Sequence, residues 1–246
     1  MSFTRRDILK VVGAAGLVSI SPNLAFAQVE GIEKKSLTIA VGGQALVYYL
    51  PLSIADLKGF FKEEGLDVKI VDFAGGSKAL QAVVGGSADV CSGAFEHTIS
   101  LQNRRQNYSA FVMQGRAPMI TLGVSTKNMP DYKEPADLKG KKIGVTAPGS
   151  STNMLLNFFL AKHGLSVSDV SIIGVGAGTG AVNAMRSGQI DAISNVDPVI
   201  STLEHEGLLN PIVDTRRLED SQAIFGGPMP SSCLYASHKF IADNPN

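Results

Sequence analysis

Three stretches of this 246-residue chain carry residue types suited to holding a small charged molecule. The first is Pro148-Gly149-Ser150-Ser151-Thr152, immediately before a strongly apolar helical pattern. The leading N–H groups of a helix have no internal partner, and the helix dipole makes that end positive. With the hydroxyls of Ser150, Ser151 and Thr152 alongside, the stretch suits an anionic oxygen. It equally suits a plain helix cap by Ser150 or Ser151. The other two stretches end on carboxylates. GSADVCSGAFE (86–96) and GQIDAISNVDP (188–198) share the phrase Gly-x-x-Asp-x-x-Ser and close on Glu96 and Asp197. Facing a cleft, these acids would meet a cationic or N–H-bearing group; in the first turn of a helix, they would only complement its dipole. Both readings are open from the residues alone.

Other chemistries find no support. There is no Ser-His-Asp order, nucleophile elbow, P-loop or HExxH motif, and the four histidines, at 97, 163, 205 and 238, are not paired at metal-ligand spacing. The expectation is a protein with no catalytic residues, no metal site and no cofactor. GVGAGTGA (174–181) has the spacing Gly176-x-Gly178-x-x-Ala181 of a dinucleotide fingerprint. It falls in the second βα unit of its half rather than the first, and close helix–strand packing explains its glycines better. Cys91 lies in an apolar strand pattern and reads as a buried small hydrophobe; whether it pairs with Cys233, the other cysteine, is open.

The elements that must position these residues alternate. The patterns predict strands at 37–42, 67–73 and 88–93 with helices at about 50–65, 77–86 and 95–105, then strands at 109–115 and 120–126. A polar loop at 127–137 is the best linker candidate. The βα alternation then resumes, with strands at 142–147, 170–176 and 191–196 and helices at 150–164, 179–188 and 197–207. Shifting the chain by 102 residues places Gly76, Ala79, Ala82, Gly86, Asp89 and Ser92 on Gly178, Ala181, Ala184, Gly188, Asp191 and Ser194. The expected architecture is α/β, two similar lobes, each a mostly parallel sheet flanked by helices. Ligands bind outside the carboxyl ends of parallel strands. The candidate cleft residues are therefore Gly43 and Gln44 after the first strand, Gly93, Ala94, Phe95 and Glu96 after the third, Ser150, Ser151 and Thr152, and Asn195 and Asp197. Tyr48, Tyr49 and Phe95 would be cleft walls or core.

The formal net charge is zero, so nucleic acid is not an expected partner. The first 27 residues read as an export signal: Arg5-Arg6 in a twin-arginine-like setting, an apolar run broken by Gly13, Gly16, Ser19 and Pro22, and a small-x-small site at Ala25-Phe26-Ala27. Cleavage near Ala27 would leave 19 basic and 21 acidic residues, a net charge of −2.

Ala-x-x-x-Gly-Phe-Phe-x-x-Glu-Gly-Leu (55–66), Ala-Leu-x-Ala-Val-x-x-Gly-x-Ala-Asp (79–89), DLKGKKIGVTAPGSSTNMLL (137–156) and GQIDAISNVDPV (188–199) resemble the nitrate/sulfonate/taurine-type substrate-binding proteins of ABC transporters, relatives of the thiamine-pyrimidine synthesis proteins. The resemblance runs from residue 37 to about 240. It implies two lobes joined by crossing strands near 114–121 and 225–232, and ligand contacts at Gly42–Gln44, Gly93–Glu96, Ser150–Thr152 and Asn195–Asp197. It implies domains at 37–118 with 229–246 (lobe 1) and 119–228 (lobe 2), with the carboxyl-terminal part of lobe 1 truncated at HKFIADNPN. The expected function is that of a monomeric periplasmic protein binding a small organic anion or zwitterion, delivered to an inner-membrane ABC permease without chemistry. A taurine-like zwitterion suits two nearby acids better than nitrate does. The alternatives are binding of an aminopyrimidine thiamine precursor and a pyrimidine-synthesis-type enzyme on the same fold; a regulator's sensing domain lacks the DNA-binding unit it would need.

Overall fold

Gly and Pro punctuate this chain closely, and the elements between them are correspondingly short. The computed structural model describes residues 31–246, so the predicted export signal lies outside the described residues. The amino-terminal half contains β1 (Ser36–Val41), α1 (Leu50–Lys58), α2 (Phe60–Glu63), β2 (Asp67–Asp72), α3 (Gly76–Val84), β3 (Val90–Ala94), α4 (Glu96–Asn103) and β4 (Tyr108–Met113). Then follow β5 (Ile120–Ser125), β6 (Lys142–Val145), α5 (Ser151–Lys162), β7 (Ser171–Gly174), α6 (Thr179–Arg186), β8 (Ala192–Val196), α7 (Val199–His205), β9 (Leu209–Asp214) and α8 (Leu218–Phe225). The chain closes with β10 (Ser232–Ser237) and α9 (His238–Asp243). The single helix expected over 50–65 is two, because Gly59 adopts φ 80° and ends α1 with a left-handed cap.

Two five-stranded sheets result, in the orders β2-β1-β3-β10-β4 and β7-β6-β8-β5-β9. Both are mixed. The strands β2, β1 and β3 pair in parallel, as do β7, β6 and β8, whereas β10 and β5 run antiparallel to both neighbours. Each antiparallel strand is the one that arrives from the other lobe. It enters at the end where its neighbours finish, Ile120 beside Val196 and Ser232 beside Ala94, and so must run the opposite way. The chain passes between sheets through residues 114–119 and 226–231. The loop over 127–137, the linker candidate, instead joins β5 to β6 within one sheet. It is pinned there by Asn128, whose amide donates to the Gly188 and Ile190 carbonyls and to Asp191.

One apolar cluster runs through both lobes. It includes Ile39, Val41, Leu46 and Leu52 from one and Ile143, Val145, Leu155 and Phe159 from the other. Helix α5 buries Leu155, Leu156, Phe159 and Leu160, each contributing about 1.5–3 kcal/mol. Phe158 of the same helix is exposed and packs against Phe225 of α8.

Candidate functional site

The doubled Gly-x-x-Asp-x-x-Ser phrase turns out to be scaffolding. Asp89 accepts the Thr38 N–H at 2.9 Å, and Asp191 accepts the Lys142 N–H at 2.9 Å, so each aspartate satisfies the amide just before the adjacent parallel strand takes up its pairing with β3 or β8. The serines brace the cleft from below. Ser92, opposite Val41, donates to Gln114 of the crossing segment at 2.9 Å; Ser194, opposite Val145, donates to the Thr152 carbonyl in the first turn of α5 at 2.8 Å.

Above them the strand ends of the two lobes meet. Gly75 has φ 140°, and a Cβ there would lie 2.9 Å from the Ala147 Cβ across the seam. A Cβ on Gly43 would lie 3.3 Å from that of Ala177. The backbone therefore closes tightly where any side chain would hold the lobes apart.

Several predicted contact residues have their polar groups engaged within the protein. Asp72 accepts the amides of Gly43 and Gln44 at 2.7 and 2.9 Å. Gly93 and Ala94 are buried at the end of β3, and Phe95 packs on the core of lobe 1 while its N–H donates to the Ser231 carbonyl. The hydroxyls of Ser150 and Thr152 form a closed set with Thr146, at 2.8 to 3.0 Å, and Ser150 also donates to the Ala147 carbonyl. Asn195 donates to the Gly176 carbonyl and accepts the Val196 N–H. Asp197 accepts from the Ser201 N–H and hydroxyl and lies 3.8 Å from Arg216, which also pairs with Glu204 and Asp214. Its charge is thus met by the protein, which is the helix-start reading of that acid rather than the ligand-facing one.

Of the buried side-chain atoms that remain unsatisfied, one, Ser221 Oγ, lies on α8, and the others are on Tyr48, Glu96, His97 and Ser231. Ser150 makes no capping bond to α5, so the first turn of that helix keeps free N–H groups. Ser151 opens the helix beside the hydroxyl of Tyr48 from the other lobe. Tyr48 Oη, Glu96 Oε2, His97 Nε2 and Ser231 Oγ are all buried and have no hydrogen-bond partner. Native proteins leave few buried polar groups unpaired, so a cluster of them marks a place for something else. Burial pushes the Glu96 carboxyl up to about 7, against a backbone N–H bond that pulls it down. Burial pushes the His97 imidazole down to about 4, with the Gly149 backbone acting the other way. His97 Nδ1 lies 3.2 Å from Tyr235 Oη. Of these groups, the sequence patterns singled out Glu96 and Ser151. His97 and Ser231 carried no signal, and Tyr48 was equally readable as core. Beside the seam, a cavity of about 410 Å3 lies between Ala45 and Leu46 and one face of α6, from Thr179 to Arg186, with the start of α7. Among the described residues, no group of three His, Cys, Asp or Glu side chains is arranged to hold a metal ion.

Comparison with known proteins places this geometry among relatives. Residues 47–246 match the family model described as NMT1/THI5 like. A solved structure of a Bordetella bronchiseptica RB50 protein superposes with TM-score 0.86 at 71% identity, over 87% of this chain and 67% of that one. The alkanesulfonate-binding protein SsuA from Xanthomonas axonopodis pv. citri, bound to MOPS, superposes with TM-score 0.65 at 24% identity, over 86% of this chain and 68% of that one. The two-lobed fold is that of the periplasmic binding proteins. A Brucella abortus (strain 2308) protein named "Putative binding protein BAB2_1146" is 30% identical over 201 residues, 78% of this chain; the chain spans 56% of that relative's length.

Proposed function

The chain belongs to the NMT1/THI5-like family, and from that premise we propose that it is the solute-binding component of an ABC importer for a small organic anion or zwitterion, exported to the periplasm. The observation that carries this reading is the set of buried, unpartnered atoms on Tyr48, Glu96 and His97, gathered at the seam beside the uncapped start of α5. An anionic group would take the free N–H groups of that first turn and the Tyr48 hydroxyl. An amino group would face Glu96. Asp197, already paired with Arg216, has no part in the ligand's charge balance in this reading. Among the described residues, no hydrogen bond at the seam pairs a nucleophile with an activating base, which favours capture and release over turnover.

The unpaired carboxyl of Glu96 also supports a second reading, an aminopyrimidine ligand, whose ring nitrogen and amino group together match a carboxyl edge. A thermal-shift panel on the mature protein separates the two. Taurine raising the melting temperature while nitrate does not supports the zwitterion; stabilisation by 4-aminopyrimidines alone supports the second reading. Turnover of any of these compounds would contradict both.

A further inference from the structure

Glu96 sits where the lobes meet, and among the described residues no cation pairs with it. Its Oε2 is buried without a partner. The titratable groups facing it are Tyr48 and Tyr49, from the segment after β1, and Cys233 of β10; all are uncharged and held so by burial. His97, next along α4, turns Nδ1 to Tyr235 and is kept neutral by burial. Among the described residues, no lysine or arginine forms an ion pair with Glu96. Glu96 as a residue is half-buried, but its Oε2 is enclosed; with the lobes closed over it, the carboxylate would carry an uncompensated charge, a state that burial penalises.

We infer that Glu96 is a charge gate that sets the specificity of the cleft: the lobes close over a ligand bearing a nitrogen cation with Glu96 ionised, but over a purely anionic ligand only with uptake of one proton. The inference rests on the ligand-binding reading above. In an opened, hydrated cleft Glu96 is ionised at neutral pH like any glutamate. Closing on taurine sets its carboxylate against the ligand's ammonium, and no proton moves. Closing on ethanesulfonate, which lacks only the nitrogen, moves one proton from solvent to the Glu96 carboxylate and forms the neutral acid. The enclosed carboxyl, raised to about 7, then binds a proton that the open one does not. Ethanesulfonate affinity must therefore fall as pH rises from the ordinary glutamate range toward 7, by about tenfold per pH unit. Any proton exchanged by His97 is common to both ligands and cancels in their difference.

The test is isothermal titration of the mature protein with taurine and with ethanesulfonate at pH 5.5 and 6.5, in buffers of unequal ionisation heat. Ethanesulfonate should take up about one proton more than taurine and lose about tenfold more affinity over that pH step. Glu96→Gln should erase both differences, and its unfolding midpoint shows that it folds. Equal proton uptake for the two ligands overturns the gate. A carbon-13 titration of the Glu96 carboxyl in the ethanesulfonate complex separates failure of the gate from failure of the binding reading. If neither sulfonate binds, the binding reading has failed; if ethanesulfonate binds and the midpoint in that complex lies near 4.5 rather than near 7, the gate itself is overturned.

Discussion

Replacing Tyr48 with phenylalanine removes one oxygen and should move stability and binding in opposite directions. Tyr48 is 3% exposed, and its hydroxyl has no hydrogen-bond partner. A buried hydroxyl left unpaired costs about 1–3 kcal/mol, so deleting it should leave ligand-free stability unchanged or raise it by about 1 kcal/mol. In a chain of this size that is a rise of about 2–4 °C in melting temperature. The ring and its packing against Tyr49 are retained, with the centroids 4.9 Å apart. With ligand present, the same oxygen is expected to donate to an anionic group beside Ser151. Hydrogen bonds to charged groups contribute about 1.5–3 kcal/mol, so the dissociation constant should rise about 10- to 150-fold. Thermal unfolding of ligand-free protein and calorimetric titration with taurine read the two effects. Two results would refute the reasoning: a ligand-free loss beyond 1 kcal/mol, meaning the hydroxyl serves the fold, or an unchanged dissociation constant, meaning it does not face the ligand.

Three further outcomes follow from the scaffold. Asp191→Ala and Asp89→Ala should each cost about 1–3 kcal/mol in urea unfolding, because each leaves a strand amide, of Lys142 or Thr38, unpaired; a cost below about 0.5 kcal/mol at either would show that water replaces the bond. Arg216→Met should destabilise most above pH 5. Burial works to raise the Asp214 carboxyl, but the bonds from Arg216 hold it below its ordinary value. A depressed carboxyl contributes stability above the unfolded pKa near 4 and loses it as pH falls through the folded value, so the gap between wild type and variant should narrow as pH falls below that range. A gap in melting temperature that does not change with pH would contradict this. Finally, Cys91 and Cys233 should stay reduced even in an oxidising compartment. Their strands set Cys91 opposite Tyr235 and Cys233 opposite Gly93, a diagonal relation at about 7–8 Å between Cα atoms, beyond the usual disulfide span. Burial pushes both thiols up to about 12, so alkylation with mass analysis should find two thiols that react only after unfolding.

The parts of this fold that are local in sequence were readable, and the parts that depend on distant chain were not. The βα alternation and the 102-residue repeat show in periodicity and in turn glycines, because each βα unit is built from neighbouring residues. The antiparallel insertion of β10 beside β3 joins residues about 140 positions apart, and no local pattern encodes it. The segment β9–α8 carried no assigned pattern, since β9 includes Pro211 and is half-exposed. At the candidate site, the sequence places Glu96, Ser150, Ser151, Thr152, Asn195 and Asp197 near strand ends and helix starts, but position does not give their hydrogen bonds. Thr146, Gly176, Ser201 and Arg216 take the polar groups of Ser150, Thr152, Asn195 and Asp197, and which neighbours compete for a polar atom is a tertiary fact. Tyr48 and His97 emerge only once burial and partners are known, because an unpaired atom has no sequence signature.

The measurement that bears most directly on the account is a crystal structure of the mature protein with whichever panel compound stabilises it most. The ligand should lie between the lobes, accepting from Tyr48 and the first N–H groups of α5, with any nitrogen against Glu96. A ligand seated instead in the cavity between Leu46 and α6, with Tyr48 and Glu96 still unpaired, would contradict it.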